Sequence, residues 1–354
     1  MSGALVSIVS KGAQDVYLTH GEGFSLFKIK YTRHTNFSQA SKRLEFLGQI
    51  QNNNSSSVFI RSIGDLVNNM WLEGTNIVEN LSGTTFDLYM GGKLIDSQTF
   101  DYMADVWQVY MAETYTKCQT INNNVSQSNK NFFPLHFFFC DNKMFLPLLN
   151  IIYHQVEVRI KWGPNIENVS NLKVYGNFVF LDTKEHEEMV NKPMELLVTQ
   201  VQRITSTSAS TVDLSYFNHP IKSIFFGYPQ TGTVGEYWTF NEASMFINGT
   251  ALFENMSPTY FHTVQGYYGT QYGIINFDNA INSPRYTQYY MYNFCIDATS
   301  YKPTGTCNFS MLDNAKMVFI NPVFNQANNG LVIYAINYNI LKIKDGLTGI
   351  LFSN

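Results

Sequence analysis

Residues 303–314 read PTGTCNFSMLDN. Pro303 presets φ, Gly305 supplies φ > 0, and Ser310, Asp313 and Asn314 bond their own backbone, so this is turn chemistry packed around one Cys and one Phe. The run predicts an ordered loop entering a strand. The chain keeps that rhythm on both sides. Residues 332–343 (VIYAINYNILKI) are β-branched and aromatic, a strand signal. Residues 155–161 alternate, with Val156, Val158 and Ile160 on one face. Residues 172–181 (LKVYGNFVFL) form another run, whose central Gly176 predicts a bulge or a close backbone approach. Further strand signals fall at 24–32, 86–90, 196–204, 221–228, 237–240, 289–296 and 317–324. Turn clusters separate them at Gly91-Gly92, Asn165 to Ser170, Thr231 to Gly235 and Asn328-Asn329-Gly330. Many short strands between frequent turns predict a sandwich or barrel.

Helix signals are few. Asp182 is followed three residues later by Glu185, a capping-box pattern, and Asn191 and Pro193 stop the helix. A short polar helix at 183–190 between strand-rich halves reads as a linker. Residues 64–72 and 101–110 read as short helical turns. The polar stretches 52–57, 121–131 and 205–211 read as exposed loops.

The chain has 354 residues, which suggests two domains. A chain of this length buries about 75% of its unfolded surface and needs no staples. Aromatics make up 15% and charged residues only 14%, against about 25% charged in a typical domain. That balance argues for strands and large buried interfaces. Net charge is −4 with no Lys/Arg block, so nucleic-acid binding through a basic patch is not expected. Cys118, Cys140, Cys295 and Cys307 show no CxxC spacing and no paired His. They read as buried free thiols in a reducing compartment, with two structural disulfides as the alternative. The first twenty residues lack a basic start and a long apolar stretch, so no signal peptide is expected. The longest apolar run, 132–153, is broken by Pro134, His136, Asp141, Asn142, Lys143 and Pro147, so no spanning helix is expected. Sequons at Asn80, Asn124, Asn168, Asn248 and Asn308 read as the by-product of an Asn-rich chain.

Catalytic patterns are missing. Gly91-Gly92-Lys93 lacks the loop length and hydroxyl of a phosphate cradle, and no GxSxG elbow occurs. His186-Glu187-Glu188 would need a second His at i+4 to hold a metal, and that position is Val190. Its plain reading is a solvated linker face. His20, His34, His136, His154, His219 and His262 are scattered singly and read as structural. No catalytic, cofactor-binding or metal residue is assigned, and the chain is not expected to be an enzyme. Tyr267, Tyr268, Tyr272, Tyr286, Tyr289, Tyr290 and Tyr292 read as strand-packing residues, with a sugar-binding face as the alternative.

The run 303–314 resembles a segment near the C-terminus of the double jelly-roll major capsid proteins of nucleocytoplasmic large DNA viruses. Other segments resemble that family in the family's order. They are GAQDVYLT (12–19), FKIKYTRHTNFS (27–38), RSIGDLV (61–67), DLYMGGKLID (87–96) with Trp107 after it, and the apolar stretch 132–160. FVFLDTKEHEEMV (178–190), LLVTQVQ (196–202), FNHPIKSIFF (217–226), ALFENMSPTYFHTVQ (251–265) and residues 333–354 complete the set.

The resemblance implies an all-β chain of two consecutive eight-stranded antiparallel jelly-roll sandwiches, a double jelly roll, with a few short helices. The expected parts are an N-terminal arm at 1–19, a first jelly roll at 20–183, a helical linker at 184–195 and a second jelly roll at 196–354. It implies a structural capsid protein that homotrimerises into pseudo-hexagonal capsomers tiling an icosahedral shell. Neighbouring capsomers, penton and minor capsid proteins and proteins of the inner viral membrane are the implied partners. The implied location is the virion capsid, assembled in host cytoplasm. Lys11, Arg33, His34 and Lys42 are the basic residues near the arm, and dispersed surface charge is their plain reading. The segment from Gln265 to Tyr289 is short, which argues against elaborate surface towers. A jelly-roll carbohydrate-binding protein and a minor capsid or attachment paralogue are the alternatives.

Overall fold

The computed structural model describes residues 34–112, 117, 129–140, 144–190, 192–206, 210–227, 238–270, 289–324 and 331–352. The expected arm at 1–19, the strand at 24–32, the turns at 231–235 and 328–330, His20 and Cys118 lie outside them.

Among the described residues, ten strands precede residue 182. They are β1 (Phe37–Leu44), β2 (Phe46–Leu47), β3 (Ser55–Ile60), β4 (Leu66–Glu73), β5 (Thr85–Met90), β6 (Lys93–Thr99), β7 (Phe132–Pro134), β8 (Leu146–Pro147), β9 (Val156–Lys161) and β10 (Lys173–Leu181). One sheet runs β1-β10-β4-β7, with β8 also on β4, and the other runs β2-β3-β9-β5-β6. The first long strand therefore lies beside the last, and β3–β4, β6–β7 and β9–β10 each cross between sheets. That is jelly-roll connectivity.

Helix α1 (Thr183–Met189) follows, with no buried residue. Asp182 caps it by accepting from the Thr183 backbone N–H at 2.9 Å.

Twelve strands come after it among the described residues. They are β11 (Met194–Ser206), β12 (Thr211–Asp213), β13 (Pro220–Gly227), β14 (Trp238–Thr239), β15 (Glu242–Ile247), β16 (Thr250–Met256), β17 (Tyr289–Asn293), β18 (Cys307–Asn308), β19 (Ala315–Ile320), β20 (Val323–Phe324), β21 (Leu331–Lys344) and β22 (Leu347–Ile350). Their main sheets run β11-β21-β13-β17 and β12-β19-β15-β16. These orders repeat β1-β10-β4-β7 and β3-β9-β5-β6. The short strands β14 and β20 pair separately.

Burial explains the patterns. On β9, Val156, Val158 and Ile160 are buried while Arg159 and Lys161 are exposed, as the alternation predicts. On β21 every residue from Leu331 to Asn339 is buried. Leu331, Ile333 and Ala335 enter the core of the second sandwich. Val332, Tyr334 and Ile336 enter the core that also holds Phe86, Leu88, Val158 and Phe178 of the first. A sheet covered on both faces needs a continuous apolar run. Rings fill the second core: Phe226 lies 5.2 Å from Phe261, 5.7 Å from Tyr290 and 5.6 Å from Phe319.

Some expectations change. Residues 66–73 form β4 rather than a helical turn. Met70 pairs with Gly176 and Asn68 with Asn177, leaving Asn69 (φ 29) as the extra residue of a bulge. Val67, Met70 and Leu72 consequently face inward, the bulge adding one residue between the first two. Residues 101–110 fall in a wider helix, a π-helix at Tyr102–Met111 that is almost wholly buried. The stretch 52–57 is not all loop: Ser55–Ser57 begin β3, and buried Ser56 accepts from Trp162 Nε1 at 2.8 Å. Residues 205, 206 and 211 likewise belong to β11 and β12. The strand expected at 289–296 ends at Asn293.

Candidate assembly surfaces

The π-helix between β6 and β7 lies on the outer face of the β11-β21-β13-β17 sheet. Arg203, Tyr334, Phe225 and Met291 are register partners in a row across that face. Tyr102 sits 5.4 Å from Tyr334, and Tyr110 sits 5.6 Å from Phe225, both ring to ring. The Tyr110 hydroxyl donates to the Tyr289 carbonyl. Thr99 Oγ1 and the Tyr334 hydroxyl share a hydrogen bond of 2.9 Å. Burial pushes the Tyr102, Tyr289 and Tyr334 phenols up, so all three stay neutral. Neutral rings, with the Tyr110 and Tyr334 hydroxyls paired, suit a dry joint.

Asp96 on β6 is the exception. It is 3% exposed. It accepts from the backbone N–H groups of Val201 at 2.9 Å and Ser97 at 3.0 Å, and from Gln98 Nε2 at 2.7 Å. Burial, with the Asp87 carboxylate adding to it, pushes the Asp96 carboxyl up to about 7. His136 stacks on Trp107 at 3.6 Å, and burial pushes its imidazole down to about 3, keeping it neutral. A cavity of about 90 Å³ opens beside them, lined by Gln98, His136, Lys222 and Tyr338. With Gln98 and His136 set in an otherwise largely apolar wall, a void of that size suits ordered water.

The opening run builds a lock on the second sandwich. Gly305 has φ +145, and a Cβ there would lie 2.9 Å from the Phe294 carbonyl oxygen. Asn308 and Cys307 of β18 pair with Pro220 and Ile221. Phe309 is buried between Phe217 and Phe294, at 6.2 and 5.7 Å. Ser310 Oγ accepts from the His219 N–H at 2.7 Å.

The other singled-out residues separate. Tyr289 and Tyr290 are buried, and Tyr292 is half-buried, 4.8 Å from Phe253. Tyr267 and Tyr268, on α2 (Gln265–Gly269), are instead 64% and 76% exposed and make an edge-on pair at 4.8 Å. They are not strand-packing residues, and the tyrosines form no single sugar-binding row; Tyr272 and Tyr286 lie outside the described residues. His186 is not simply solvated, since its Nδ1 lies 2.9 Å from Asp65 Oδ1. His154 Nδ1 accepts from the Thr348 N–H at 3.0 Å, and His262 stands edge-on to Tyr290. His34 and Lys42 are exposed; Lys11 and Arg33 lie outside the described residues. Cys295 is a buried free thiol and Cys307 a half-buried one, and Cys140 is half-buried rather than buried as expected. Burial pushes the Cys295 and Cys307 thiols up, which makes them poor nucleophiles. Two sequon asparagines serve turns: Asn248 Oδ1 accepts from Asp313 and Asn314, and Asn308 Oδ1 from Ser310. Asn124 lies outside the described residues. Among the described residues, no His/Cys/Asp/Glu group is placed to hold a metal ion. No described helix is long and apolar enough to cross a membrane.

Two family models match in succession. One, described as the major capsid protein N-terminus, covers residues 25–182. The other, described as large eukaryotic DNA virus major capsid protein, covers residues 185–349. The major capsid protein of Pyramimonas orientalis virus is 28% identical over 400 positions that include all of both chains. That of Paramecium bursaria Chlorella virus 1 is 26% identical, again across all of both. A chain from the quasi-atomic model of the PBCV-1 virus capsid shares the fold, with a TM-score of 0.77 at 21% identity over 93% of this chain and all of that one. The Faustovirus major capsid protein shares it too, with a TM-score of 0.69 at 10% identity over 95% of each.

Proposed function

This chain belongs to the major capsid protein family of large eukaryotic DNA viruses, and from that premise we propose that three copies close into a pseudo-hexagonal capsomer. It is a structural component of the virion capsid, built as a double jelly roll. In the proposed capsomer, six similar sandwiches ring one threefold axis and the block tiles an icosahedral shell. The observation that carries this reading is the repeat of strand order in the two halves. Two sandwiches of like topology, packed through one sheet face, make a unit that three chains repeat six times around a ring. A cyclic ring of this kind uses heterologous interfaces that close on themselves. Low charge lets wide flanks be buried at small desolvation cost.

In this reading residues 20–183 and 196–354 are the two jelly rolls, 184–195 is the linker and 1–19 is an arm beneath the capsomer. Neighbouring capsomers, pentons, minor capsid proteins and inner-membrane proteins are the partners, and assembly takes place in host cytoplasm. No catalytic, cofactor or metal residue enters it.

Light scattering on the purified protein should give about three times 40.5 kDa. Negative-stain images should show a hexagonal outline with threefold symmetry. A stable monomer at micromolar concentration would overturn the proposal.

A further inference from the structure

We propose that the outer face of the β1-β10-β4-β7 sheet receives the helical segment Tyr260–Gly269 of a second copy of this chain, as the β11-β21-β13-β17 sheet receives Tyr102–Met111 within the chain. This rests on the trimeric reading above and assigns residues to it.

The two sheets carry the same row of side chains. In the second half, Arg203, Tyr334, Phe225 and Met291 pair in sequence across β11, β21, β13 and β17. In the first half, Arg43, Tyr175, Trp71 and Pro134 pair in sequence across β1, β10, β4 and β7. Each row reads cation, tyrosine, aromatic, apolar. Trp71 and Phe225 are each the sixth residue of their strand, and Pro134 and Met291 each the third. Both rows face away from their own sandwich core.

The rows differ in what covers them. Tyr334, Phe225 and Met291 are buried at 1%, 0% and 0% exposure beneath the first half's helix. The arginines Arg43 and Arg203 are both exposed, but Tyr175, Trp71 and Pro134 are only half-buried. Trp71 and Tyr175 are already stacked at 5.5 Å, and Trp71 Nε1 donates to Glu73 Oε1 at 2.8 Å. The face is ordered in advance, which lowers the cost of docking. An apolar groove of about 390 Å³ runs beside it, lined by Trp71, Trp107, Phe132 and Pro134.

The helices repeat as well. Each connects the last strand of a hairpin to the next strand of the row-bearing sheet, and each begins as a π-helix at a tyrosine, Tyr102 or Tyr260. A second tyrosine follows eight residues later, Tyr110 or Tyr268. Tyr110 is 3% exposed against Phe225, whereas Tyr268 is 76% exposed. Among the described residues, each chain thus has one closed joint, one open face and one open helix. Joined head to tail, such units make a heterologous contact that closes as a ring. Tyr268 then meets Trp71, and Tyr260 meets Tyr175, of the next copy. Buried aromatic anchors of this kind carry most of an interface's energy.

The test uses the full chain. Tyr268→Ser and Trp71→Ser should each raise the concentration at which the capsomer dissociates by at least about tenfold, and the double variant should fall well short of the product. Tyr216→Ser, at an unrelated site 74% exposed, should leave assembly unchanged. Mixing a Tyr268→Cys chain with a Trp71→Cys chain under mild oxidation should give a covalent heterodimer on a non-reducing gel, with neither chain forming it alone. That readout holds even if a serine variant folds poorly. A trimeric wild type whose serine variants assemble normally, with no cross-link, overturns this joint and leaves the trimer standing. A monomeric wild type overturns the trimer and the joint together.

Discussion

Asp96 is a carboxyl that folding makes harder to ionise. Its value of about 7, against an ordinary 3.8, means the folded chain holds the proton more tightly than the unfolded one. The sign follows from linkage. The stabilisation is complete below about pH 4 and is lost as pH rises through about 7. The wild type should therefore lose melting temperature between about pH 5 and about pH 8 relative to Asp96→Asn. The asparagine Oδ1 still accepts from Val201, so the difference between the two curves isolates the charge. Parallel curves would show that Asp96 ionises freely inside the joint. Gly305 makes a second single-residue case. With φ +145, and the Phe294 carbonyl oxygen 2.9 Å from where a Cβ would stand, Gly305→Ala should cost about 1–3 kcal/mol, read as a lower denaturant midpoint. An unchanged midpoint would mean that the 303–314 lock can relax without loss.

Strand β21 carries two cores at once, and it makes an uncommon prediction for an antiparallel sheet. Ile333 and Tyr334 point to opposite faces, yet both are buried, at 0% and 1% exposure. Ile333→Ala and Tyr334→Ala should each cost about 2–5 kcal/mol, while the exposed Lys342→Ala costs almost nothing. Chemical denaturation of all three would decide it, and a small effect at either buried position would remove one of the two cores. The same strand shows what could be read in the sequence. Its β-branched and aromatic run announced a strand, and β9 announced its buried face through strict alternation. The reason for β21's continuous apolarity lies in a packing partner about two hundred residues away in sequence, which local pattern does not carry. Strand β4 misled for a local reason, since the bulge at Asn69 breaks the alternation, putting Val67 and Met70 three residues apart before the period of two resumes at Leu72. At the junction, Tyr102 and Tyr110 lay within a stretch recognisable as helical, but Asp96 gave no signal, because its shift comes from burial by the second half. The repeated row is invisible as sequence similarity. It emerges only when register pairs Arg43 with Tyr175 and Arg203 with Tyr334.

At the scale of the whole chain, the two sandwiches are joined by more than the helix between them. The core of the first takes in Val198, Phe225, Met291 and Tyr334 from the second. Polar contacts reinforce it. Tyr153 N–H donates to the Gly346 carbonyl at 3.0 Å, and Thr348 N–H to His154 Nδ1 at 3.0 Å. The linker itself contributes little, as α1 buries nothing. Cutting it removes one covalent tether and leaves the shared apolar core in place. A protease site inserted between the exposed Glu187 and Glu188 should therefore be cleaved readily, and the nicked chain should still elute as one species in native buffer. Its fragments should part only in denaturant, with a transition slightly earlier than that of the intact chain because the unfolded state is freer. Fragments that separate without denaturant would mean that the tether, and not the Tyr102–Met111 joint, holds the sandwiches together. The inferred joint between copies would then lose its template, because it takes its geometry from the one inside the chain.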